Sequence, residues 1–183
     1  RPVHPVNYGC PQKRSVIFSV GFRADAGVDF TVPEPTHSQD ALLLSQWGSG
    51  EYWERHRVAK RARPPRPEGI EKKLARLIAR DPASLILPWE TVRDAITDLP
   101  DPEKRPDVEL VQAHRFHPGA RSNPGHTGHP LDETATALTA VAPAVPGGAN
   151  LRRRPAVSHR TVPVREATRL HTNSDDPPTD TQH

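Results

Sequence analysis

Hydrophobic positions in this chain fall into short blocks separated by polar and proline-rich stretches. The first block, Ser15-Val16-Ile17-Phe18-Ser19-Val20-Gly21-Phe22, is β-branched and aromatic and is followed by Gly and Asp, which predicts a buried strand over residues 15–22. Pro33, Pro35 and Ser38 then mark an irregular stretch. Ala41-Leu42-Leu43-Leu44 and Glu51-Tyr52-Trp53-Glu54-Arg55-His56 read as short helical pieces. Arg61-Ala62-Arg63-Pro64-Pro65-Arg66-Pro67 reads as a non-helical basic linker, because proline fixes φ and has no N–H to donate. A helix is predicted over 68–80, where Ile70, Leu74, Leu77 and Ile78 recur at helical spacing, with acidic residues leading and basic ones trailing. A second is predicted over 91–99, with Thr91 as its N-cap and Asp94 three residues on; Pro100 and Pro102 end it. No period emerges over 117–150, which reads as a loop-built surface. Residues 164–172 read as a last helix and 173–183 as a disordered tail.

Composition limits what these blocks can build. The chain has 183 residues, and only 34% are hydrophobic and 5% aromatic, against 22 prolines. A typical globular domain is about 45% apolar, so a large core is not expected here, and the length suits one domain or part of one. Lys and Arg number 25 against 22 Asp and Glu, a net charge of +3, which by itself argues little about nucleic acid. A single cysteine, Cys10, excludes a disulfide framework and a multi-cysteine zinc site. No apolar run approaches the ~20 residues that span a bilayer. No apolar stretch follows a basic start, so the expected location is the cytoplasm, with no membrane partner. Methionine is absent and residue 1 is Arg, as expected of a trimmed chain or a fragment.

The most specific segment is Asn7-Tyr8-Gly9-Cys10-Pro11-Gln12-Lys13-Arg14, which runs into the apolar block and closes on Gly21-Phe22-Arg23. It resembles the eighth motif of the DNA (cytosine-5)-methyltransferases of bacterial restriction–modification systems. Pieces further along resemble later parts of that family in the same order. Pro33-Glu34-Pro35-Thr36-His37 resembles the stretch just after that motif in one bacterial subgroup. Thr91-Val92-Arg93-Asp94-Ala95-Ile96-Thr97-Asp98-Leu99-Pro100 resembles a helix of the family. Phe116-His117-Pro118-Gly119-Ala120-Arg121-Ser122-Asn123-Pro124-Gly125-His126-Thr127-Gly128, Pro130-Leu131-Asp132-Glu133 and Val145-Pro146-Gly147-Gly148-Ala149-Asn150 resemble its target-recognition region. Val164-Arg165-Glu166-Ala167-Thr168-Arg169-Leu170 resembles its ninth motif.

The resemblance covers about residues 7–172 and implies an α/β fold. The chain would hold part of a class-I S-adenosylmethionine-dependent methyltransferase domain, namely its final strand hairpin, plus a loop-rich target-recognition domain. The implied boundaries are 1–36 for the end of the catalytic domain, 37–159 for the recognition region with a linker at 60–67, 160–172 for a degenerate ninth-motif helix, and 173–183 for the tail. In the parent family the target cytosine is flipped out of duplex DNA, a cysteine attacks ring carbon 6, and carbon 5 takes the methyl group of S-adenosylmethionine. The nucleophile loop, the acidic Glu-Asn-Val segment and the cofactor cradle have no counterpart here. The chain alone is therefore expected to be inactive and to need no cofactor. Gln12 and Arg14 are the eighth-motif remnants. The resemblance offers Arg14, Arg121, Ser122, His126, Thr127, Leu138 and Arg165 as contacts to duplex DNA. A separately encoded catalytic half is a further implied partner. A non-catalytic DNA-binding module, a split subunit and a poorly folded gene remnant stay open as alternatives.

Several positions depart from the family pattern. Val16 stands where a second eighth-motif arginine would contact the extruded cytosine, and removes a charged donor. Ala137 replaces the threonine before Leu138, and Thr136 and Thr139 stand where lysines would be, which removes phosphate-contacting charge. Pro163 replaces a capping threonine, His171 a glutamine, and Asn173-Ser174-Asp175-Asp176 a Phe-Pro-Asp-Asp run. Cys10 uses the residue types of the nucleophile loop in the wrong order, and a small packing thiol is the favoured reading. His114, His117, His126 and His129 form two His-x-x-His pairs without the Cys or carboxylate partners of a usual metal site. Arg152-Arg153-Arg154 and Lys60-Arg61-Ala62-Arg63 read either as phosphate contacts or as solvated basic loops. Trp47, Trp53 and Trp89 read as packing anchors rather than base-stacking platforms.

Overall fold

A computed structural model describes residues 2–79, 86–101, 129–136, 150–153, 158–161, 166 and 169. Within them the chain is mixed α/β. Four α-helices, α1 (Gln39–Leu43), α2 (Glu51–Arg55), α3 (Glu71–Ile78) and α4 (Val92–Ile96), accompany short strands. Two small sheets are parallel pairs, β1 (Gln12–Lys13) with β5 (Ala135–Thr136) and β2 (His37–Ser38) with β3 (Leu87–Pro88). The third is three-stranded: β6 (Asn150–Arg153) runs parallel to β4 (His129–Pro130) and antiparallel to β7 (Ser158–Thr161). No helix among the described residues is long and apolar enough to cross a membrane.

The helical half is nucleated locally. Ser38 caps α1, its hydroxyl accepting from the Ala41 amide at 3.1 Å, which satisfies one otherwise orphaned first-turn donor. The helix continues as a π turn over Leu44–Ser49, and Gly50, at φ +80°, then redirects the chain into α2. A side chain at that backbone angle would be strained, which accounts for glycine at the corner. The turn brings Leu42, Tyr52, Trp53 and Val58 into one buried cluster, covered by Trp47, Ala62 and Trp89. α3 packs on the π turn, and Leu74, Leu77 and the preceding Ile70 are buried. The stripe expected from the sequence loses one member, because Ile78 is 60% exposed at the helix end. The helix is also shorter than the expected 68–80: Gly69, at φ +70°, turns the chain just before it.

α4 forms where the sequence places a helix, with Thr91 and Asp94 closing a reciprocal capping box. Two further amides of its first turn donate across the chain, Val92 to the Glu133 carbonyl at 2.9 Å and Arg93 to that of Leu131 at 2.7 Å. Val92 and Ala95 bury against Ala135, Ile96 and Leu131, a second and smaller core.

Three expectations change. The strand expected over 15–22 does not form: one antiparallel bridge, Val3 to Val16, is its sole ladder contact among the described residues. Ile17 and Phe18 are 81% and 63% exposed rather than buried. A strand needs a neighbour along its length and a layer over its apolar face, and the described residues provide a neighbour at Val16 alone and leave Ile17, Phe18, Val20 and Phe22 exposed. The basic linker expected to be non-helical begins with a short 3-10 turn, Lys60–Ala62, ahead of its prolines; Arg63 is extended and 64–67 are in neither helix nor strand. The loop-built surface expected over 117–150 holds β4 and β5, whose two-residue length leaves no period to read. Of the last helix, Glu166 and Arg169 are described and both are helical; the rest of 164–172, and the tail at 173–183, lie outside the described residues.

Candidate functional site

Two of the candidate residues sit together at β1. Gln12 is fully buried, facing Ala135 across the parallel ladder, whereas Arg14, two residues on, is exposed. The ladder is reinforced by the Ala135 amide, which donates to the Pro11 carbonyl at 2.9 Å. Gly9, at φ +88°, ends the preceding turn beside the His37 ring, which a Cβ there would approach to 3.0 Å. Arg121, Ser122, His126, Thr127, Leu138 and Arg165 lie outside the described residues, as do His114 and His117.

Neither polar atom of the Gln12 amide has a hydrogen-bond partner among the described residues. An orphaned buried amide costs about 1–3 kcal/mol. Gln12→Leu, of similar length, is therefore expected to stabilise the chain by about 1 kcal/mol in urea titration. A loss of stability would mean that the amide is satisfied in solution.

Around β5 the structure builds a charged network the sequence does not announce. Arg93 grips Asp132 with two donors, Nε at 2.6 Å and Nη2 at 3.3 Å. Tyr52 donates to the same carboxylate at 3.2 Å and shares a buried 2.9 Å hydrogen bond with the Thr91 hydroxyl. Burial and the Asp132 charge push the Tyr52 phenol far above its usual range. Gln46 ties the network to the helical core: its amide donates to the Asp132 carbonyl at 2.8 Å, and its own carbonyl accepts from the Trp53 indole at 2.5 Å.

A second anion sits one turn along. The Asp94 carboxylate meets His56 Nε2 at 2.7 Å and Arg55 at 2.7 Å while capping α4. Burial alone would raise its pKa. The hydrogen bonds from His56 and Thr91 outweigh that and hold the carboxyl at about 2. Glu90 beside it moves the other way, raised by burial and by the Asp94 charge.

A groove of about 390 Å³ opens beside this network. Trp47, Trp89, Pro64 and Pro67 form its apolar walls, with Lys13 and Arg93 as cations on the rim. Trp53 is buried, and Trp47 meets it edge-on with ring centroids 5.3 Å apart, so these indoles serve mainly as packing. Trp89 is held at the other wall, its indole donating to Asn7 at 3.1 Å.

Cys10 is not held as an activated nucleophile. Burial raises the half-buried Cys10 thiol, and the Gln12 amide and Arg14 charge offset this only in part. That is the reverse of what a nucleophilic thiolate needs. No group of three or more His, Cys, Asp or Glu that could hold a metal ion occurs among the described residues. The glycines with positive φ, Gly9, Gly27, Gly50 and Gly69, all lie in turns, and none joins a strand to a helix. Set against family models, curated proteins and solved structures, the chain matches none of them.

The sequence names Thr91 and Asp94 together as a helix cap, and it names Arg93 and Asp132 in separate segments but not as a pair. It misses Gln46, Tyr52 and His56 as members of the network. The carboxyl-rich Pro130-Leu131-Asp132-Glu133 segment beside a predicted helix with an arginine was the available signal.

Proposed function

We propose that this chain is the C-terminal, DNA-recognising part of a DNA (cytosine-5)-methyltransferase and is without methyl-transfer activity of its own. One observation carries this reading: segments that resemble the family, scattered along the sequence, pack on one another. β1, from the eighth-motif segment, pairs with β5 just after Pro130-Leu131-Asp132-Glu133. α4, the Thr-Val-Arg-Asp-Ala-Ile helix, buries Val92 and Ala95 against Ala135 of β5. Arg169 of the ninth-motif segment donates to the Ala95 carbonyl at 3.2 Å and pairs with Asp98. Chance similarity in separate pieces gives no reason for those pieces to share a core.

In this reading the buried network holds the frame and the basic and loop residues touch DNA. Arg14 contacts phosphate or the extruded base. Arg121, Ser122, His126, Thr127, Leu138 and Arg165 supply the remaining contacts.

A gel-shift titration on duplex DNA over a salt series tests this. Binding is expected to weaken as salt rises, with a log–log slope of about −0.9 for each phosphate neutralised. Arg14→Ala is expected to lower affinity on all sequences alike and to reduce that slope by about 1. Label from tritiated S-adenosylmethionine is expected not to appear in the DNA. Failure to bind duplex at low salt overturns the DNA reading, and incorporated label overturns the inactive one.

A further inference from the structure

The apolar block that fails to form a buried strand belongs to an arm. Its first limb is pinned by Val3 and Val16, which exchange two backbone hydrogen bonds of 2.9 Å. Its second limb is pinned where Tyr8 donates to the Pro33 carbonyl and the Thr36 amide donates to Asn7, each at 2.9 Å. A turn closes the tip, with the Ala26 amide donating to Arg23 at 2.9 Å and Gly27 at φ +58°. Just below the tip the Phe22 and Phe30 rings meet at 5.8 Å, so the limbs lie alongside each other.

This arm gathers the apolar surface of the molecule. Of ten large hydrophobic residues exposed among the described residues, seven are Ile17, Phe18, Val20, Phe22, Val28, Phe30 and Val32, each about half exposed or more. Six of the seven fall on alternate positions, 18, 20 and 22 on one limb and 28, 30 and 32 on the other. Between them lie Ser19, Gly21, Asp29 and Thr31. In extended chain such alternation sets the apolar side chains of each limb on one side, and the Phe22–Phe30 contact joins the two apolar sets at one level. Contiguous apolar patches beyond a few hundred Å² are rare on monomers.

We propose that this face is a self-association surface, on which the arms of two copies of the chain pack face to face. The one-sided pattern selects this arrangement. Insertion between strands of a sheet buried on both sides would carry Asp29 into a core, whereas face-to-face packing leaves it in water. A two-fold pair buries the same patch on both copies, so no complementary surface is needed elsewhere. The six side chains on that face, each about half exposed or more, offer on the order of 600 Å² per copy, or about 1,200 Å² for the pair, the lower bound of specific interfaces. The tip adds no repulsion, because Arg23 and Asp25 neutralise each other at 2.5 Å.

Sedimentation equilibrium of the full chain without DNA tests this independently of the DNA-binding reading. A concentration-dependent shift from the 20.2 kDa chain to twice that mass is expected. The double variant Phe18→Ser/Phe30→Ser is expected to raise the dimer dissociation constant at least tenfold, as loss of central aromatic anchors does. Phe18 is 63% and Phe30 48% exposed and neither belongs to a buried cluster, so its far-UV circular dichroism and tryptophan fluorescence should match those of the original chain. In hydrogen exchange, amides of 17–22 and 28–32 should gain protection as concentration rises. A chain monomeric throughout, a dimer the variant leaves intact, open-ended aggregation, or protection elsewhere each overturns the proposal.

Discussion

Trp53→Ala is expected to cost about 3–5 kcal/mol, the range for removing a buried aromatic side chain. Trp53 is 1% exposed. Its ring stands perpendicular to that of Tyr52 at 4.9 Å and edge-on to Trp47, and its indole N–H is satisfied by the Gln46 carbonyl. Truncation would open a cavity, release Trp47 and leave that carbonyl orphaned. Against a total stability of roughly 0.05–0.15 kcal/mol per residue, this is a large fraction for a chain with so small a core. Urea unfolding followed by circular dichroism measures the loss, and a value below about 1 kcal/mol would show that this cluster does not hold the fold. Trp53→Phe, which keeps an aromatic ring but loses the N–H, should fall between the two.

Asp94→Ala is expected to cost about 3 kcal/mol, because it removes the α4 cap and leaves the buried His56 without its anion. The same residue gives the stability a pH dependence of definite sign. Its carboxyl titrates at about 2 in the folded chain and near 3.8 once unfolded. The unfolded state therefore takes up the proton first as the solution is acidified. The stabilisation is complete above about pH 4 and is lost as the pH falls towards 2, a change of about 2–3 kcal/mol. Asp94→Asn keeps an oxygen for the cap but cannot ionise, so its stability should change less across this window. Glu90, raised by burial, works in the opposite sense at higher pH, because its ionised form is disfavoured in the folded chain. Parallel acid titrations of the original and Asp94→Asn chains separate the two, and equal slopes between about pH 4 and 2 would remove Asp94 as the source.

These two residues divide along the line between what is legible in sequence and what is not. The Thr91–Asp94 capping box is visible as two residues three apart because both groups serve the same helical turn. The burial of Ile70, Leu74 and Leu77 is visible for a similar reason, since helical spacing places them on one face whatever lies opposite. His56 and Arg55, which complete the Asp94 site, lie 38 and 39 residues away, and no spacing rule connects them. Tyr52 reaches Asp132 across 80 residues, although each sits in a segment whose local character was readable.

The sequence by itself determined the helices that cap and pattern themselves and the non-helical course of the prolines after Ala62. Tertiary structure decided that Gln12 is buried against Ala135 and that Asp132 becomes the hub joining Arg93, Tyr52 and Gln46. It also decided that residues 15–22, with a strand's alternation, stand exposed as an arm. A helix satisfies its backbone within itself, so its signal is local. A strand and a buried ion pair are completed only by residues distant in the chain, and so only the folded arrangement settles whether they form.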